Sequence, residues 1–368
     1  MPSSHEVLFG KSLLELQELC LRLGWPKFRA QQIYTQIYRG GYAGACRDFS
    51  SLKGLSKNEQ VYLQEHYDLM YYEPLNLQQA EDGTIKFVYP LKEYFLPNTG
   101  GLEQKPLAAV EAVLIPGTKE YTLCLSSQWG CRWACQFCQT GEMGLQRQLS
   151  SAEILAQFRC AQDILKTSAS KTGLASVSRV VFMGMGEPLE NPELGKVLEI
   201  LSDPHGGYGL GARRITVSTV GLGEYLPAFF ALEKPYRLAL SVHNPISDER
   251  SRLIPAEFSS PLEDVIRQIE RRRDCGDRRR LTFEYTLIDG ENDQDYHAEA
   301  LADLALRVQA RINLIACHKN KAGYLGSSRL ERFQELLQNR SIRCTVRKSR
   351  GEEIAAACGM LIMENSLQ

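Results

Sequence analysis

The run Cys131-Arg-Trp-Ala-Cys135-Gln-Phe-Cys138 puts three cysteines within eight residues. Thiolates at this density are soft ligands for zinc or for an iron–sulfur cluster. A closed zinc site takes four ligands, commonly two separated Cys-x2-Cys pairs, and the chain has no second pair. A cubane cluster held by three thiolates keeps one iron open to a further ligand. Three buried structural cysteines, or a zinc knuckle completed by a distant residue, are the competing readings. The chain has 11 cysteines, an odd number, and no visible export signal. That favours metal or redox chemistry over a disulfide scaffold. Downstream, Gly184-Met-Gly186-Glu187-Pro188 follows a run of strand character. Its glycines let the backbone approach a ligand, and Glu187 offers an acceptor to an ammonium group. Ser218 and Ser241-Val242-His243 also fall where strands end.

The elements that must position these groups are legible in the periodicity. Residues 1–95 read as a small helical unit. Leu13, Leu14, Leu16, Leu19 and Cys20 recur at helical spacing, as do Phe28, Ile33, Tyr34, Ile37 and Tyr38 before a Gly40-Gly41 stop. A third helix is expected over 51–66 and a short strand or hairpin around 86–89. Residues 96–368 form a second unit, in which β-branched runs at 110–115, 121–125, 179–183, 214–219, 237–242, 281–287, 312–315 and 342–347 alternate with amphipathic stretches such as 152–165, 262–273 and 298–308. Such alternation implies an α/β fold with a mainly parallel sheet, either doubly wound or a full or partial barrel. In both cases the ligand site lies at the carboxyl ends of the strands.

Composition narrows the class. The 368 residues are 43% hydrophobic and 24% charged, with net charge -1. Long disorder and a globally basic nucleic-acid coat are thereby excluded, though a local basic face is not. No apolar run approaches the roughly 18 residues of a membrane helix. Met1 to Gly10 shows no signal-peptide pattern, so the expected compartment is the cytoplasm. Seven arginines lie between Arg267 and Arg280; they read as a solvated helix face or as phosphate contacts. Arg343, Arg347, Lys348 and Arg350 precede Cys358 and are better placed for RNA.

The Cys-x3-Cys-x2-Cys spacing resembles that of the radical S-adenosylmethionine (SAM) enzymes, and residues 184–188 resemble their glycine-rich SAM-contacting motif. Further motifs join them in order: Lys27-Phe28-Arg29-Ala30-Gln31-Gln32, the segment 109–116 containing Glu111, the segment 121–131 containing Cys124, Arg213-Arg-Ile-Thr-Val-Ser-Thr219, and the segment 345–359 with Cys358-Gly359. Over nearly its whole length the chain resembles the dual-specificity 23S rRNA and tRNA adenine methyltransferases of the RlmN/Cfr family. The resemblance implies a partial parallel (β/α) barrel of the radical SAM type with a small N-terminal helical, RNA-binding domain.

It also implies a chemistry. Carbon 2 of adenine lies between two ring nitrogens and is too electron-poor to attack a methyl donor, so a radical must carry the carbon. By resemblance, Cys131, Cys135 and Cys138 hold one 4Fe–4S cluster. Gly186, Glu187, Ser218, Ser241, Val242, His243 and His318 contact SAM, and His318 stands where the family has an asparagine. Two SAM molecules are consumed per methylation: one methylates Cys358, and the other yields the 5′-deoxyadenosyl radical that activates this methyl group. Glu111 matches the family's base. Cys124 attacks Cys358 to release product, leaving a transient disulfide. The implied partners are 23S rRNA, tRNA and an electron donor such as flavodoxin or ferredoxin, with no membrane. Ala355 and Met360 replace an acidic residue and an amide beside Cys358. Methylation at adenine carbon 8, giving antibiotic resistance, is the alternative within the family; a non-enzymatic zinc or RNA-binding module is the alternative outside it.

Overall fold

The computed structural model describes residues 5–39, 46, 48–92, 108–118, 120–172, 176–317, 323–347 and 350–361. In chain order the strands are β1 (Glu6–Val7), β2 (Tyr67–Asp68), β3 (Asn76–Gln79), β4 (Ile85–Pro90), β5 (Ala109–Pro116), β6 (Tyr121–Cys124), β7 (Gln128–Trp129), β8 (Arg147–Gln148), β9 (Val177–Phe182), β10 (Ile215–Thr219), β11 (Arg237–Ser241), β12 (Leu281–Leu287), β13 (Arg311–Ala316) and β14 (Cys344–Arg347). The helices are α1 (Leu13–Arg22), α2 (Phe28–Tyr38), α3 (Lys57–His66), α4 (Gln139–Glu142), α5 (Ser151–Thr172), α6 (Leu194–Ser202), α7 (Leu226–Ala231), α8 (Ser247–Leu253), α9 (Leu262–Asp274), α10 (Asp295–Arg307) and α11 (Leu330–Asn339).

Among the described residues the main sheet has ten strands in the order β14-β13-β12-β11-β10-β9-β6-β5-β4-β3. Neighbours from β6 through β14 pair in parallel, and helices occupy the connections, as short-range periodicity and crossover geometry require. The order is linear, so the sheet is open, with β14 and β3 at its edges. The expected strand near residues 86–89 is β4, but its pairing does not stop within the helical unit. It continues antiparallel from β3 through β4 and β5 to β6, carrying the main sheet across the expected boundary near residue 95.

The N-terminal helices begin where local chemistry dictates. Ser12 with Glu15 caps α1 and Ser56 with Glu59 caps α3, each as a reciprocal capping box. Leu16, Leu19 and Cys20 form the buried stripe of α1; Ala30, Ile33, Tyr34, Ile37 and Tyr38 form that of α2. This unit is fastened to the sheet domain. Arg159 of α5 lies 4.1 Å from the Phe9 ring centroid and donates to the Leu69 carbonyl at 3.1 Å. Lys196 of α6 meets Glu15 at 3.0 Å. One continuous apolar core runs through both parts.

Side chains alternate across each strand. Met183, Ser218, Ser241, Glu284, Thr286 and Ile315 line one large cleft at the carboxyl ends of the parallel strands. The face they share is called the inner face below.

Candidate active site

The loop after β6 is stitched to the glycine-rich loop after β9. Ser126 Oγ donates to the Glu111 carbonyl at 2.6 Å and accepts from Met185 N at 2.8 Å, and Ser127 N donates to the Met185 carbonyl at 2.9 Å. Gln128 Oε1 accepts from Glu187 N at 2.7 Å. This closeness explains Gly186: its φ is +97°, and a Cβ there would lie 2.4 Å from Gln128 Cβ. Gly130 is under the same constraint, because a Cβ would stand 1.8 Å from the Gly144 carbonyl oxygen.

Cys131, Cys135 and Cys138 all line the cleft, together with Gly186, Glu187, Ser218, Ser241, His243 and Cys358. Burial pushes the three loop thiols up, Cys131 to about 12; the positive charge of bound iron is what turns such thiols into thiolate ligands. The donor set fits the implied cluster. All three are soft sulfur donors that line the same cleft, the donor type that iron–sulfur clusters take. Trp133, between two of these cysteines, also lines the cleft, and its buried Nε1 has no hydrogen-bond partner. A cluster sulfur beside it would accept that N–H.

Glu187 is buried, and burial pushes it up to about 7 despite hydrogen bonds from Val220 N to Oε2 (2.8 Å) and from Leu189 N to Oε1 (3.1 Å). The Thr219 side chain adds a third hydrogen bond, and the carboxylate still has acceptor capacity for a further donor. His243, in a left-handed conformation (φ +52°), accepts from Thr286 N at 2.9 Å through Nδ1. Burial, then the Arg250 charge, lowers its pKa to about 3, so the ring is neutral. Val242 is buried behind the wall rather than on it. His318 lies outside the described residues, as does Lys348.

Cys358 arrives from the far end of the chain. Its segment docks on the cysteine loop through Gln139 N to the Gly359 carbonyl (2.8 Å) and Thr140 Oγ1 to the Leu361 carbonyl (2.8 Å). Arg347 Nη1 stands 3.2 Å from Cys358 Sγ and 3.9 Å from Met183 Sδ. The charge of Arg347 is reinforced first by Cys358, then by Glu284 and Cys124, against the cost of burial. Arg347 therefore faces sulfur, not RNA phosphate as its place in the sequence suggested. Cys124, at the end of β6, is buried; burial first and then nearby Cys358 push its thiol up to about 12. Both cysteines are free thiols.

Glu111 lies on β5, two residues from Val113, the register partner of Cys124, and hence on the same sheet face. It is fully buried, meets Lys86 at 3.2 Å, and does not line the cleft.

Several site residues escaped sequence reasoning. Arg250 reads as a surface residue of a charged helix, yet it is buried against Glu257 and donates to the carbonyls of Val220 (2.7 Å), Ser241 (3.1 Å) and Val242 (3.0 Å). It thereby clamps the ends of β10 and β11 that carry the site. Glu284 lines the cleft and accepts from Asn313 Nδ2 at 2.8 Å; burial raises its pKa. A lone acid at the centre of an apolar strand was the available signal.

Comparison with known proteins agrees with this geometry. The Radical SAM superfamily model matches residues 125–301. A probable dual-specificity RNA methyltransferase RlmN from Porphyromonas gingivalis is 39% identical over 359 residues, 96% of this chain and 93% of that protein. The dual-specificity RNA methyltransferase RlmN of Syntrophobacter fumaroxidans is 36% identical over 357 residues, covering 96% of this chain and 97% of its own. The crystal structure of a radical SAM methyltransferase from Sphaerobacter thermophilus superposes with TM-score 0.83 at 35% identity, covering 97% of this chain and 99% of that one.

Proposed function

We propose that this chain, which belongs to the RlmN family of radical SAM RNA methyltransferases, methylates carbon 2 of an adenine in 23S rRNA and in tRNA. The observation that carries the reading is the seating of Cys358 against the three-cysteine loop, with Arg347 Nη1 3.2 Å from its sulfur. An isolated structural cysteine has no need of a buried guanidinium; a sulfur that must act as a nucleophile does.

In this reading Cys131, Cys135 and Cys138 hold the cluster, and Gly186, Glu187, Ser218, Ser241 and His243 form the SAM-facing wall. When bound, the 4Fe–4S cluster and SAM supply one-electron cleavage of the sulfonium and so a hydrogen-abstracting radical. The chain's own residues do the rest. Cys358 carries the methyl group on its sulfur and presents it to a base unstacked into the cleft. Glu111 accepts the proton lost from adenine carbon 2. It is sealed in the free protein, so it acts in a state in which RNA opens the sheet face between Lys86 and Cys124. The Cys124 thiolate then attacks the Cys358 sulfur: an S–S bond forms, the bond from that sulfur to the product carbon breaks, and the carbon keeps the electron pair and takes up a proton to become the methyl group. The Arg347 cation lies against the Cys358 sulfur and offsets part of the burial that raises the Cys124 thiol. The N-terminal helical unit supplies RNA contacts beyond the target base.

The test is nucleoside mass spectrometry after incubating anaerobically reconstituted protein with deproteinised rRNA and labelled SAM. The reading expects labelled 2-methyladenosine. Labelled 8-methyladenosine would move the enzyme to the carbon-8 branch, and no labelled adenosine would refute it.

A further inference from the structure

The opposite end of the inner face has a chemistry the reaction does not use. Arg237 opens β11 and Arg311 opens β13, while Arg280 and Arg343 directly precede β12 and β14. Each stands four residues before a cleft-side residue of its own strand: Ser241, Glu284, Ile315 and Arg347. Equal parity puts all four arginines on the inner face, and four residues of strand put them about 13 Å below the cleft. The register sets Arg237 level with Arg280 and Arg311 level with Arg343, with Arg280 two residues below Arg311: Leu238 is opposite Leu281, Thr282 opposite Arg311 and Ile312 opposite Cys344.

These side chains are not neutralised within the fold. Among the described residues none of Arg237, Arg280, Arg311 and Arg343 makes an ion pair or a side-chain hydrogen bond. Their neighbours differ: Arg214 pairs with Glu120 at 3.5 Å, and Arg273 donates to the Val308 carbonyl at 3.1 Å. Arg237 loses basicity to burial and then to Arg280, Arg179 and Arg311; Arg311 loses it first to Arg280. Arg280 and Arg343 are exposed. Like charges on adjacent strands destabilise a sheet, so the row costs the free protein stability and calls for an anion. Four adjacent strands at about 4.8 Å spacing spread the guanidinium groups over about 15 Å, wider than one phosphate and matched to a chain of them.

We propose that this arginine row is a second RNA contact, gripping backbone phosphates while the target base occupies the cleft at the other end of the same sheet face. The inference rests on the RNA methyltransferase reading. Guanidinium forks suit phosphate oxygens bidentately, and the edge position of β14 leaves the row open from the Arg343 side.

The test uses the full-length reconstituted protein and a labelled, unmodified 23S rRNA transcript, with affinity measured across a salt series. Replacing Arg237, Arg280, Arg311 and Arg343 together by Gln is expected to weaken binding by about 10- to 100-fold near 0.1 M salt and to make the log–log salt slope shallower by about 3. The matching Arg→Lys variant is expected to retain the slope. The unfolding temperature of the Gln variant is expected to stay level or rise, because repulsion is relieved. Unchanged affinity and slope in the Gln variant would overturn the proposal, as would loss that Lys does not rescue. Stabilisation of the wild type by inorganic pyrophosphate without any effect of the Gln changes on RNA would also overturn it, in favour of a small-anion site. If the wild type itself bound no RNA, the functional reading would fail first; if the wild type bound and the Gln variant matched it, only the arginine row would fail.

Discussion

At its carboxyl end the inner face of the parallel strands carries Met183, Ser218, Ser241, Glu284 and Ile315 around a sulfur-rich cleft. At its amino end the strands that bear the last three carry Arg237, Arg280 and Arg311. The first end hides its few charges in pairs or among neighbours: Arg347 beside Cys358, Arg250 against Glu257, Glu284 under Asn313. The second leaves its charges uncompensated. A site for one-electron chemistry must keep water and stray charge away from reactive sulfur, whereas a surface for a polyanion must leave its cations free. One set of strands meets both demands because side-chain parity is conserved along a strand while solvent access is not.

The sharpest way to break this contrast is Cys358→Ala. Methyl transfer to RNA should fall to background while SAM cleavage persists; methylated product from the variant would remove the chemical end of the comparison. Arg250→Met attacks the scaffold of that end. It leaves Glu257 buried without its cation and frees three strand-end carbonyls, so about 3–5 kcal/mol of stability should be lost by denaturant unfolding. A loss under about 1 kcal/mol would show that the clamp is ornamental. Lys86→Met removes the cation facing Glu111 and should cost a similar few kcal/mol. The double variant Lys86→Met with Glu111→Gln should recover most of that, and strict additivity would mean the two side chains are not coupled.

The effect that is smallest at neutral pH concerns His243. Its folded pKa, about 3, lies below its ordinary 6.5, so the native state binds fewer protons than the unfolded state as pH falls below 6.5. Its contribution is fully present above pH 6.5 and is lost as pH drops toward 3, at up to about 1.4 kcal/mol per pH unit. His243→Asn should flatten the pH dependence of stability in that window by about one proton; parallel curves would mean the ring is charged in the fold.

Much of this was legible in the chain because it is local. The strands at 281–287 and 237–242 and the helix at 262–273 announce themselves by periodicity, and observed β12 (Leu281–Leu287), β11 (Arg237–Ser241) and α9 (Leu262–Asp274) follow closely. The cysteine loop is legible for the same reason. The docking of the Cys358 segment on residues 139 and 140 spans more than two hundred positions, so nothing local announces it. Arg250 and Glu257 carry no local mark of burial, because sequence cannot show that the helix bearing Arg250 tucks its guanidinium under two strand ends. The seven-arginine run was read as one feature, but the fold divides it. Arg267 pairs with Glu263 at 3.1 Å on the exposed face of α9, Arg279 turns to the Phe230 carbonyl at 3.2 Å, and Arg280 alone joins the inner face.

The central claim is that Cys358 carries the transferred carbon. Peptide mapping by mass spectrometry after anaerobic incubation with trideuteromethyl-SAM, without RNA, tests it most directly. The peptide containing Cys358 should gain one methyl group, and that group should be lost when unmodified 23S rRNA is added. Labelled RNA formed while the Cys358 peptide stays unmodified throughout would contradict the account.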